Sequence, residues 1–254
     1  MELINRVKFI LLNPKEEWDV IEAENPPHEK VLPYLLILAL IPAVALFFSN
    51  WWQWYSAITE SIQRITDTAA QTGNATRLEE AVKLIKESNP FNPITGIVEA
   101  LTVFIITLGS AYLTAIVINV LSNHFDVTKD FNRSFSLVAY SYTPLCIAGI
   151  LYAYPPLKSL TPYIGLYGIY LLYVGVKPRI NPAAQKVTGY FIMSVIVALA
   201  VYIIVPKIVK PISNDIHKNI LIEQAKEKAK KNNISLYDSK FRFTKIANSN
   251  QQHQ

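Results

Sequence analysis

The sequence predicts an all-α fold: a polytopic membrane protein with five transmembrane helices and an extramembrane helical hairpin between helices 1 and 2. Three observations predict it. Of 254 residues, 51% are hydrophobic and 17% charged, against about a quarter charged in an ordinary soluble domain. The charge is also unevenly placed, and five runs carry almost none of it: Val31–Phe48, Ile94–Leu121, Ser134–Tyr154, Leu157–Val176 and Val187–Val205. Most of them reach the roughly 20 residues needed to cross about 30 Å of hydrocarbon. Third, the polar stretch 49–93 between the first two runs is patterned as two helices joined by Gln71-Thr72-Gly73-Asn74. The expected organisation is an amphipathic segment 1–30, helix 1 at 31–48, the hairpin at 49–93, helices 2–5 within 94–209, and a basic helical tail 210–254 with a loose end.

The first thirty residues hold two short amphipathic pieces around Asn13-Pro14. Leu3, Ile4, Val7, Ile10 and Leu11 recur at helical spacing, with Arg6 and Lys8 beside them. Pro14 suits the first turn of a second helix, where its missing N–H costs nothing, and Asn13 is placed to cap it. Glu16 and Glu17 then fall near that helix's positive end, with Trp18 and Ile21 on its apolar side. Arg6, Lys8 and Trp18 are therefore the candidate interfacial residues, lying on lipid or offering a docking surface to a partner. Packing against the protein's own bundle is the plainer alternative and stays open. The first apolar run begins thirty residues in, without the short basic region and small-residue cleavage site of a signal peptide.

After the first run, Trp51, Trp52 and Trp54 cluster where amphipathic rings prefer the headgroup layer, a simpler account than a ligand-binding aromatic box. Ile58, Ile62 and Ile65 carry an apolar stripe on to about Ala70, and Thr76 with Glu79 has capping-box spacing for a further short helix through Lys86. Glu99 enters the second run within its first two turns. A carboxylate there must reach the interface or find a partner, so it is either part of a proton or ion relay or, more simply, a residue snorkelling to the headgroups. Gly109, Ala111 and Ala115 allow close helix packing.

In the loop 123–132, Asp126, Lys129 and Asp130, with Arg133 just beyond, match no metal or phosphate motif. His28, His124, His217 and His253 fall in separate segments, so neither zinc nor any cofactor is expected. Cys146 is the sole cysteine, which excludes an internal disulfide. Pro144 interrupts the third run, and Tyr140, Ser141 and Thr143 are near enough to satisfy a freed carbonyl. With Glu99, these four make up the candidate intramembrane polar site. Pro155-Pro156 ends that helix. From Tyr163 to Val176 the fourth run is 14 residues, about 21 Å at helical rise. Begun at Leu157 it is long enough. With Gly165, Gly168 and Gly175 it is either a broken element of a transport path or a tilted packing helix. Tyr167, Tyr170 and Tyr173 recur at i, i+3 and give one aromatic face. The tail holds a Lys-rich helix over about Ile212–Lys231, and the net charge of +5 lies mainly there. Anionic lipid explains it more cheaply than nucleic acid, which is not expected as a partner.

The string A-Y-S-Y-T-P-L at 139–145, followed by Y-G-I-Y-L-L-Y-V-G-V-K at 167–177, resembles the signature of the Yip1 domain family, and R-V-K-F-I-L-L-N-P-K-E-E-W-D-V-I resembles the leader of its prokaryotic members. The resemblance covers most of the chain, chiefly 1–30 and 94–205. It implies five membrane helices, a cytoplasmic N terminus, a C terminus on the opposite side, and a bacterial inner-membrane location. Charge alone leaves orientation open: Lys177, Arg179 and Lys186 favour the N terminus inside, while Lys207 and Lys210 argue back. Eukaryotic relatives associate with Rab-type GTPases, a role not expected here, since their extended acidic N-terminal domain has no counterpart in the thirty residues ahead of helix 1.

No phosphate loop, metal cluster or nucleophile with a base at workable spacing is present, so an enzyme is not expected. The leading expectation is a non-enzymatic membrane protein that organises protein partners, itself or lipid. A channel, small-solute transporter or lipid-moving protein with a path near Glu99 and Pro144 is the second.

Overall fold

A computed structural model describes residues 3–72, 82 and 92–251, and among them every regular element is helical. In chain order these are α1 (Leu3–Leu12), α2 (Pro14–Glu24), α3 (His28–Thr72), α4 (Pro93–Leu121), α5 (Phe131–Ser141), α6 (Thr143–Ala148), α7 (Thr161–Gly165), α8 (Tyr167–Ile180) and α9 (Val187–Gln251), with 3₁₀ turns at Ser122–Phe125, Gly149–Ala153 and Pro155–Leu160. The chain divides into two units, Met1–Val209 and Lys210–Gln254. The second is helical as far as Gln251.

Five stretches are long and apolar enough to cross a membrane: His28–Gln71, Pro93–Phe125, Phe131–Ala153, Pro155–Ile180 and Val187–Gln224. Large apolar side chains stay exposed along them at helical spacing, as at Ile37, Leu40 and Val44 on α3, Ile97, Leu101 and Ile105 on α4, and Ile192, Ile196, Leu199 and Ile203 on α9. Stripes of that size on a folded bundle are surfaces for lipid. The protein is a polytopic membrane protein.

The third span is the hub. Some 72% of its apolar stretch is buried, against 17% to 50% for the others. Phe135, Leu137 and Val138 of α5 meet Leu35 of α3, Ile118 of α4, and Leu171 and Val176 of α8 in one core. Local sequence sets the ends of these helices. Asp130 accepts from the N–H of Arg133 to cap α5, and Asn92 accepts from the N–H of Ile94 ahead of Pro93 to start α4. Asn25 and Asn181 stop α2 and α8 in the left-handed region, at φ 37° and 51°, a conformation asparagine tolerates better than most residues.

The extramembrane hairpin expected between helices 1 and 2 is corrected. Helix α3 runs unbroken from His28 to Thr72, because neither proline nor glycine occurs between Pro42 and Thr72 to stop helical propagation. The extramembrane pair in the structure is instead α1–α2, which precedes helix 1. Pro14 occupies the first position of α2 and Asn13 makes no side-chain cap. The Asn13 turn folds α2 back on α1. The expected short helix from Thr76 to Lys86 lies outside the described residues, Val82 apart.

Two spans are interrupted. The third steps at Tyr142, just ahead of Thr143-Pro144, yet Tyr142 N–H still donates to Val138 O at 2.9 Å and Cys146 N–H to Tyr142 O at 3.0 Å. The fourth breaks at Leu166, between α7 and α8. The interruptions meet, since a Cβ on Gly168 would stand 2.5 Å from the Ser141 carbonyl oxygen. Only glycine lets the two backbones come this close.

Candidate functional site

An assembly of buried polar groups lies where α1–α2 dock on the end of the bundle. Arg6 is 5% exposed, and its guanidinium holds Glu17 at 2.5 Å and also Glu24. Glu17 and Glu24 are seven residues apart, two turns along one face of α2, so a single arginine on α1 reaches both. The Arg6 guanidinium carbon stands 5.7 Å from the centroid of the Tyr140 ring, within cation–π range. Trp18 is fully buried and meets Tyr140 edge-on at 6.0 Å. Its indole occupies the space a side chain at position 175 would need: a Cβ on Gly175 would lie 2.6 Å from it. Beneath, Tyr34 meets Tyr140 at 4.9 Å, and its hydroxyl is 2.7 Å from Thr143 Oγ1. Burial pushes the Glu17 carboxyl above its ordinary value, outweighing the opposing pull of Arg6 beside it.

A second network fastens the C-terminal end of α2. Glu22 is shared by Arg133 at 2.8 Å and Arg179 at 3.0 Å. Arg179 has no exposed surface. Its Nε donates to Ser136 Oγ at 2.9 Å, and its Nη1 also reaches Asn25 Oδ1 at 3.3 Å and Ile21 O at 3.4 Å. Arg133 donates through Nη1 to the Arg179 carbonyl at 3.1 Å. His28 closes the edge, its N–H donating to Asn132 Oδ1 at 3.1 Å and its Nε2 lying 2.6 Å from Tyr112 Oη. A polar cavity of about 310 Å³ adjoins this network, lined by Ser122, Asp126, Asp130, Arg133, Ser134 and Arg179 among others. Asp126 is paired with Lys186, which holds its carboxyl below the ordinary value.

Of the residues singled out from the sequence, Arg6, Trp18 and Tyr140 fall together in the first network. Lys8 stays exposed, 5.8 Å from the centroid of the Phe9 ring. Thr143 joins through Tyr34, Pro144 sits buried beside it in α6, and Ser141 Oγ is buried without a partner among the described residues. Glu99 is elsewhere: exposed on α4, it accepts from Asn50 Nδ2 at 2.9 Å. A different cavity, about 210 Å³ and mainly apolar, lies beside the two interruptions and is lined by Ser141, Tyr142, Leu145, Gly165, Gly168 and Tyr202 among others. Sequence reasoning missed Glu22, Arg133, Arg179 and Ser134 as a group. The two-turn repeat of acids on α2, Glu17 and Glu24, points to the Arg6 network and not to this group. Among the described residues no group of three or more His, Cys, Asp or Glu could hold a metal ion.

The Yip1 domain model matches residues 8–205, a stretch that contains every residue of both networks except Arg6. No curated protein and no solved structure matches the chain.

Proposed function

Because this chain belongs to the Yip1 domain family, we propose that it is a non-enzymatic organiser in the membrane, contacting protein partners, further copies of itself or lipid through the docked pair α1–α2. The observation that supports this is how the pair is held. Its inner face is fastened by a buried ion pair at Arg6 and half-buried ones at Glu22, while Ile4 and Leu12 remain 75% and 68% exposed on its outer face. The buried ionisable groups are thus engaged in holding a surface element in place rather than aligned around a reacting atom. We place this end of the bundle, with the loops 126–130 and 181–186, in the cytoplasm of a bacterial inner membrane. Lys177 and Lys186 on its short connection favour that side, and an odd number of spans then puts the C terminus in the periplasm.

Ile4→Ser with Leu12→Ser tests the proposal, because both side chains point away from the bundle and leave docking intact. Cross-linking in native membranes should lose its protein or self-association products relative to wild type. Unchanged products would remove this surface from the account. Deleting residues 1–24 is a poorer test, since it strips Glu22 from the buried Arg179.

A second reading, movement of a lipid or small solute, is favoured by the apolar cavity at the paired interruptions rather than by Glu99, which does not line it. Ala198→Phe, which fills that cavity, should stop any flux in proteoliposomes and leave cross-linking unaltered. Flux that survives the substitution would exclude the cavity as a path.

A further inference from the structure

We propose that the polar cavity between the start of α5 and the end of α8 binds a phosphate group, held by Arg179 and Ser134. The inference starts from an inventory of donors. An arginine offers five N–H groups and no acceptor. In Arg179, Nε is taken by Ser136, and Nη1 by Glu22, Asn25 and the Ile21 carbonyl. Nη2, with its two N–H groups, is buried and has no partner among the described residues. The same holds for Ser134 Oγ. The two residues are 0% and 1% exposed, and both line this one cavity. Leaving such donors unmatched in a protein interior is costly.

The acids nearby do not supply what is missing. Asp126 is bound by Lys186. Asp130 accepts from the Arg133 N–H at 3.2 Å and pairs with Arg133 Nε at 3.5 Å. Glu22 is shared between both arginines. What remains is a surplus of donors on one wall, the complement of an acceptor-rich anion. A guanidinium edge matches phosphate oxygens in geometry as well as charge, and a hydroxyl beside it can donate to another oxygen of the same group.

Position favours a phosphate over other oxyanions. Ser134 is in the first turn of the third span, and Arg179 is in the last turn of the fourth. Both lie where spans leave hydrocarbon, the level at which polar pockets between membrane helices meet lipid head groups. The phosphate can come from a phospholipid headgroup or from free phosphate, and the chemistry of recognition is shared. This site does not depend on α1–α2 contacting a partner.

Native mass spectrometry of the full-length, delipidated protein in detergent tests it, with two probes: inorganic phosphate and a phosphatidylglycerol. A one-to-one adduct with at least one probe is expected, and Ser134→Ala should weaken it roughly tenfold or more, the scale of a hydrogen bond to a charged group. The Ser134 hydroxyl bonds nothing among the described residues, so the alanine variant should melt no lower than wild type without ligand. If it fails to fold, Ser134→Cys keeps the shape with a weaker donor and should show the same direction of loss. A phosphatidylglycerol adduct that excess phosphate does not displace assigns the site to a headgroup, and one that phosphate displaces or replaces assigns it to free phosphate. No adduct with either probe, or equal binding by wild type and a folded Ser134 variant, overturns the proposal.

Discussion

Replacing Arg6 with methionine should release the N-terminal pair from the bundle. Methionine keeps much of the stem's packing and removes the charge, so the effect isolates the ion pairs. The Arg6 side chain is 6% exposed and that of Glu17 is 5% exposed, while Glu24 is 39% exposed. Glu24 can return to water, so its loss counts for little. Glu17 cannot, and a buried charge left without its partner costs about 3–5 kcal/mol. At about 1.4 kcal/mol per decade, docking should weaken by roughly two decades or more at neutral pH.

The assay is hydrogen exchange of the α2 amides in the full-length protein, which reports local opening without global unfolding. Exchange in α2 should accelerate by that factor while the third span is unchanged. Arg6→Met with Glu17→Leu should recover much of the protection, because two apolar residues leave no buried charge. Exchange within a factor of about three of wild type would refute the premise that Arg6 is needed to match the buried Glu17 carboxylate. So would a double variant as fast as the single one.

Three further outcomes follow from the same contacts. Gly175→Ala places a methyl where the Trp18 indole and Leu137 lie, at 2.6 and 2.7 Å; overpacking of this kind costs about 1–3 kcal/mol, so α2 exchange should quicken while the helical circular dichroism stays constant. Gly168→Ala meets the Ser141 backbone oxygen at 2.5 Å, and since a carbonyl in a helix cannot swing away as a side chain can, the thermal midpoint of the bundle should fall. The wild-type pair should also respond to pH. Burial raises Glu17 above its ordinary 4.5, so docking takes up a proton; that contribution is complete below 4.5 and is lost as pH rises through the raised value. Protection of α2 measured across that range should decline with pH, and Glu17→Gln should flatten the dependence.

The five spans were legible because hydrocarbon imposes a length and a polarity that one chain shows directly. Outside the bilayer no such ruler exists. The isoleucine stripe at 58–65 fits a helix that α3 carries to Thr72, while the capping-box spacing at Thr76 and Glu79 lies outside the described residues. Helix α3 continues to Thr72 because no residue stops it, and the pair that does fold back does so at Asn13-Pro14.

The site divides along a similar line. Arg6, Trp18 and Tyr140 each stand out locally, as a charge in an amphipathic helix, a large amphipathic ring and a tyrosine beside a proline. Their meeting depends on α1–α2 folding over the bundle, which no spacing encodes. Glu99 draws attention as a carboxylate inside an apolar run, yet it is exposed and bonded to Asn50. Arg179 draws none, because between Pro178 and Ile180 at the end of a span it has the look of an interfacial cation. A long side chain at that depth can snorkel outward or turn inward. The direction is decided by acceptors on other elements, here Glu22 and Asn25 at the end of α2 and Ser136 on α5. The same dependence makes Arg179 informative: its Nε and Nη1 donors join the N-terminal pair to the third and fourth spans, while its Nη2 faces no acceptor among the described residues.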